Sequence, residues 1–97
     1  FSARARLFLA NDGILGPANA GARYRSLAET LEAAIDGEAA RWGWYRQTIH
    51  QYRTGPYEIY DRDDFWKPEV TRLLNEYFPR RTAVVVQQLK VAGLWVE

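Results

Sequence analysis

YRSLAETLEAAIDGEAARWG, residues 24–43, decides the fold. After Tyr24 the apolar positions are Leu27, Ala28, Leu31, Ala34, Ile35, Ala39 and Trp42. At roughly 100° per residue they fall on one arc about 140° wide, opposite a polar stripe of Arg25, Glu29, Glu32 and Asp36. The phase survives Gly37, whose cost of about 1 kcal/mol relative to Ala can be offset by packing of the stripe. The pattern predicts a continuous helix from about 17 to 43. Gly16 and Pro17 start it, because a proline at the first helical position has no amide hydrogen to leave unpaired. Ser26 and Glu29 offer a later start as a capping box, but the earlier one is preferred. Gly43 is the expected left-handed residue at its end.

Upstream, Ala5, Leu7, Phe8 and Leu9 beside Arg4 and Arg6 read as the end of a first helix, followed by turn chemistry at Asn11, Asp12 and Gly13. Downstream, residues 44–64 hold neither a helical nor an alternating period and carry Gly55 and Pro56 near the centre. This stretch reads as a long ordered loop, rich in aromatics (Trp44, Tyr45, Tyr52, Tyr57, Tyr60) that must pack on something. Asp63 or Asp64 is expected to cap the next helix, on which Trp66, Val70, Leu73, Leu74 and Tyr77 share a face. Pro68 fits its first turn, and Pro79 is expected to end it and open a last helix that stops at Gly93 against Leu94. Val84, Val85 and Val86 have strand propensity, but the helix formers Gln87 to Lys90 decide for helix. Val85, Val86, Leu89 and Ala92 then share one face while Val84 and Val91 lie nearly opposite. A helix apolar on two sides needs cover on both. The expected class is all-α, about four helices with a long aromatic loop.

The chain has 97 residues, which makes a deep core unexpected. It starts at Phe1 and contains no methionine, so residues 1–97 are read as a single helical fragment excised from a longer protein. Thirteen Lys and Arg against twelve Asp and Glu leave a net charge of +1, giving no global field for nucleic acid or an anionic membrane. Cysteine is absent, which excludes a disulfide frame and a thiolate nucleophile. No apolar run is long enough to span a bilayer.

Candidate chemistry is sparse. His50 is the only histidine and has no carboxylate pair beside it, so it supports neither a metal site nor an activated nucleophile. Asp61, Asp63 and Asp64 lack the glycine and later glutamate of a calcium loop, and GPANAG lacks the Lys-Ser/Thr pair of a phosphate loop. Arg46, Arg53 and Arg62 among aromatics could stack on bases or sugars, yet residues 41–67 are nearly neutral. Glu38 falls inside the apolar arc between Leu27 and Leu31, so it is expected to point inward and pair with Arg41 at i+3, or with Arg80 or Arg81.

AIDGEAARWG followed by DDFWKPEVTRLLNEYFPRRTAVVVQQLKVAGLW resembles the C-terminal end of the spore-coat-protein-H-like family, the CotH kinases. The likeness is carried by Glu38, Arg41, Trp42 and Gly43 ending an Ala/Glu-rich helix and by Trp66 and Val70 leading the next. Phe78, Pro79 and Arg81 step into the last helix, and Gln88, Leu89, Gly93 and Leu94 close it. The resemblance implies the C-terminal helical part of an atypical protein kinase-like fold, whose parent transfers phosphate from ATP to Ser or Thr with a divalent metal. No position here matches the family's ATP-binding lysine or metal-binding aspartates, so no catalytic, cofactor or metal residue is assigned. Glu38, Arg41, Trp42, Gly43, Trp66, Pro79 and Arg81 are then structural anchors. The implied partner is the upstream part of the same domain. The resemblance also implies that residues 95–97 begin a linker to a following β-rich module and that the location is a secreted or cell-surface bacterial protein. The alternative from a different class is a helical protein- or glycan-binding module using the aromatic loop 44–64.

Overall fold

The computed structural model describes residues 1–10, 12–49 and 60–95. Among them the chain is all-α, with α1 (Ser2–Leu9), α2 (Pro17–Trp44), α3 (Lys67–Arg72) and α4 (Phe78–Val91), and no strand. Three π-helical turns adjoin these helices, at Tyr45–Ile49, Arg62–Trp66 and Leu73–Tyr77. The described backbone therefore forms three continuous helical runs, the last unbroken from Arg62 to Val91. Residues 82–86 lie inside α4, so the valine run is helical as expected.

The turn between α1 and α2 is built on glycine. The Gly13 amide donates to Ala10 O at 2.8 Å and that of Leu15 to Phe8 O at 2.9 Å. A Cβ on Gly13 would stand 2.4 Å from Phe8 O and 2.5 Å from Leu7 O, so only glycine fits. Asn19 Nδ2 closes the turn from α2, donating to Asp12 O at 3.1 Å and Gly13 O at 3.0 Å. Pro17 opens α2 as the missing-donor argument requires, and the Ala20 amide reaches back to Gly16 O at 2.9 Å.

Gly43 does not end α2. Among the described residues only Gly93 has a positive φ, 67°. The helix passes through Gly43 and widens into the π turn Tyr45–Ile49. The apolar stripe continues past Trp42, because the Tyr45 ring packs edge-on against it at 6.2 Å. That contact lies one turn on, where an unwound chain could not supply it. Residues 44–49 and 62–64, expected as loop, are thus helical. Residues 50–59, with His50, Tyr52, Arg53, Gly55, Pro56 and Tyr57, lie outside the described residues, and so does the loop expectation for them.

The expected cap at Asp63 or Asp64 is made instead by Asp61, whose Oδ1 accepts the Asp64 amide at 2.7 Å. Pro79 does not interrupt the third run. It sits in the first turn of α4, directly after a π turn in which the Phe78 amide pairs with Leu73 O, five residues back. Shifting the ladder by one residue leaves room for a ring that would otherwise meet the carbonyl of Asn75, and the amide that proline lacks goes unused. At the far end Gly93, the expected stop, takes the left-handed conformation. The Leu94 amide pairs with Leu89 O at 2.9 Å and the Gly93 amide with Lys90 O at 3.0 Å, which is the paired closure of a Schellman end.

The chain divides into two compact units, Phe1–Ser26 with Arg72–Glu97, and Leu27–Thr71. In the first, α2 meets α4 through Tyr24 and Phe78, whose rings lie 5.1 Å apart and tilted. A Cβ on Gly21 would stand in ordinary contact with the Phe78 Cβ, at 3.7 Å. Thr82 Oγ1 also donates to Leu15 O at 3.0 Å. The second unit holds the groove and ion network described below.

Apolar burial is thin, as the length implies. Ala28, at 7% exposure, is the only buried apolar side chain with a Cβ among the described residues. On α4, Val85, Val86 and Leu89 are half-buried, whereas Val84 stands 46% and Val91 80% exposed. The helix is apolar on two sides, and the second is open.

Candidate functional site

The residues singled out in the sequence separate by unit. Glu38, Arg41, Trp42, Gly43 and Trp66 belong to Leu27–Thr71, and Pro79 and Arg81 to the other unit. Glu38, Trp42, Gly43 and Trp66 come together along one groove of about 590 Å³. Its first wall is the α2 face of Ile35, Ala39 and Trp42, at i, i+4 and i+7; its second carries Tyr60, Phe65 and Trp66. Tyr60 and Phe65 brace each other edge-on at 4.8 Å.

Glu38 is not buried. It is exposed on the groove and forms no ion pair among the described residues. The wheel placed it on the correct face, beside Ile35, Ala39 and Trp42, but that face is an open groove rather than a core. Water solvates the carboxylate, so no arginine is needed to hold it. Arg41 instead lays its guanidinium over the Trp42 ring, 4.9 Å from the centroid. Gly43 is buried beside the groove. Pro79 borders a small hollow with Pro17, Gly21 and Leu74, and Arg81 is exposed.

The strongest polar cluster was not singled out beforehand. Arg62 sits 2.7 Å from Asp36 through Nη1 and grips Asp63 with Nε at 3.1 Å and Nη2 at 3.2 Å. Lys67 Nζ lies 3.0 Å from Glu32 and 2.9 Å from Asp63. The π turn explains the arrangement. The Lys67 amide pairs with Arg62 O, five residues back, so both cations face the same side and meet Asp36 and Glu32, themselves one turn apart on α2. Hydrogen bonds from Arg62, then from Lys67, hold the Asp63 carboxyl down at about 2. The bond to Asp63 is likewise the main cause raising both Arg62 and Lys67 above their ordinary values. These groups face water, so their attraction is screened. Arg62 is therefore engaged by carboxylates rather than offered to a base or sugar.

Among the described residues no group of three His, Cys, Asp or Glu could hold a metal ion, and no helix is long and apolar enough to cross a membrane. Among the described residues the arrangement assembles no nucleophile, base and orienting partner, and it offers an apolar groove and an open valine face. Comparison of the chain with protein-family models, with curated proteins and with solved structures finds no match.

Proposed function

We propose that the chain is the C-terminal helical part of a CotH-like protein kinase domain and braces that domain without catalysing its reaction. The parent would transfer the γ-phosphoryl group of ATP to a Ser or Thr hydroxyl, with a divalent metal, using residues outside these 97. One observation carries the bracing role: large apolar side chains remain exposed on one side of α4, at Val84 and Val91, and along α2, at Leu27, Leu31 and Trp42, against a single buried alanine among the described residues. Covering a valine or leucine side chain is worth about 1.5–3 kcal/mol, so such faces gain most from an adjoining protein layer. The kinase assignment draws on the order and spacing of the Glu-x-x-Arg-Trp-Gly, Trp-led and Phe-Pro-x-Arg motifs. The Schellman end at Gly93 fits a segment that stops at a fixed point.

The test uses the whole protein that contains these residues. Incubated with ATP and a divalent metal, it should phosphorylate Ser or Thr of a protein acceptor or of itself, while residues 1–97 alone should transfer nothing. A folded whole protein that neither binds ATP nor transfers phosphate would overturn the kinase reading.

A further inference from the structure

The side of α4 away from Val84 and Val91 walls a hollow of about 280 Å³ that the bracing role does not use, within the unit Phe1–Ser26 with Arg72–Glu97. Its lining is apolar, from Leu9 at the end of α1, Leu15 in the turn, Ala20 on α2, and Phe78 and Val85 on α4. The turn fixes one wall, because the Leu15 amide donates to Phe8 O at 2.9 Å and the Leu15 carbonyl accepts from Thr82 Oγ1 at 3.0 Å. Ala20, whose side chain ends at Cβ, leaves the room. Leu15 is 53% exposed, so the hollow opens to water and a guest can enter without rearrangement. Apolar cavities of about 150 Å³ already accept a benzene-sized guest. Among the described residues one charged group lines the hollow, the guanidinium of Arg81. It is exposed and makes no ion pair or hydrogen bond among the described residues. Asn11, which joins α1 to the Leu15 wall and lies outside the described residues, carries no charge and leaves that balance unchanged.

We propose that this hollow binds a small aliphatic monocarboxylate, its chain lying among Leu9, Leu15, Phe78 and Val85 and its carboxylate on Arg81. Burial of the chain supplies the affinity, and Arg81 supplies the sign, because a planar guanidinium can give a carboxylate two parallel hydrogen bonds. Thr82 spends its proton on Leu15 O and has none to offer, so the selectivity rests on Arg81. A neutral chain of the same length gains the apolar contact alone, and a cationic one is repelled. The inference concerns residues of one unit only and does not depend on the kinase reading, whose failure would leave it standing.

Calorimetric titration of the whole protein with octanoate, and with octanamide as its neutral counterpart, tests it. Octanoate should bind saturably and octanamide roughly tenfold more weakly. Arg81→Gln should bring octanoate down to the level of octanamide and leave octanamide unchanged. Ala20→Leu, which fills the hollow, should weaken both, and circular dichroism would check that this variant still folds. Equal affinity for the two compounds, indifference of octanoate to Arg81→Gln or to a folded Ala20→Leu, or no saturable binding would overturn the proposal. Loss of both compounds to the same degree in Arg81→Gln would assign Arg81 to the fold rather than to the ligand, and would likewise overturn it.

Discussion

Arg62 Nη1 lies 2.7 Å from Asp36 Oδ2 and ties together two helical runs at positions 26 residues apart in sequence. The same arginine grips Asp63, and Lys67 links Asp63 to Glu32, so five charges form one network. An isolated surface pair contributes little, but a shared network should behave cooperatively. In a double-mutant cycle, Arg62→Met and Asp36→Asn should each lower the urea midpoint modestly and be clearly non-additive at low salt. In about 1 M salt, where the screening length falls to about 3 Å, the coupling should vanish. Additive midpoints at low salt would show that the network carries no energetic weight.

Asp63 predicts an acid limb to stability. Its folded value of about 2 lies below the ordinary 3.8, so its contribution is complete above about 4 and is lost as pH falls through 2. Arg62 and Lys67 are raised, so their contributions are complete below their ordinary values and lost only in strong alkali. Unfolding midpoints followed downward from pH 5 should fall between about 4 and 2, and Asp63→Asn should flatten that fall. The same slope in Asp63→Asn would assign it to other carboxylates.

Two glycines should answer oppositely to alanine. At Gly13 a Cβ meets backbone oxygens at 2.4 and 2.5 Å, so Gly13→Ala should destabilise by more than about 1 kcal/mol. At Gly37, exposed in the interior of α2 with nothing within 4 Å, Gly37→Ala should stabilise by about 0.5–1 kcal/mol. Chemical denaturation of both variants checks the pair.

Gly93 isolates backbone strain from crowding. Its φ is 67° and no atom lies within 4 Å of a Cβ built there. Gly93→Ala should therefore cost about 1–2 kcal/mol through the left-handed conformation alone, and Gly93→Asn less. Equal losses for the two would mean that the Schellman closure is not what the glycine supplies.

The helices were legible because period and punctuation agreed. The stripe from Leu27 to Trp42, Pro17 and Gly93 placed α2 and the end of α4 closely. What escaped were the three π turns, which leave no periodicity of their own and appear only where the ladder shifts by one residue, as before Pro79. That shift misled the reading of Pro79 as a break. It also hid the ion network, since Arg62 and Lys67 share a face only at five-residue spacing. Glu38 failed differently: a helical wheel gives direction but not cover, and the face it lies on is open.

Hydrogen exchange along α4 tests the bracing role most directly. In the whole protein the amides of residues 84–91 should be strongly protected, because both apolar sides of α4 are covered. In the isolated 97 residues they should exchange much faster, with Val84 and Val91 left in water. Equal protection in the two would contradict the bracing role and show that these helices stand by themselves.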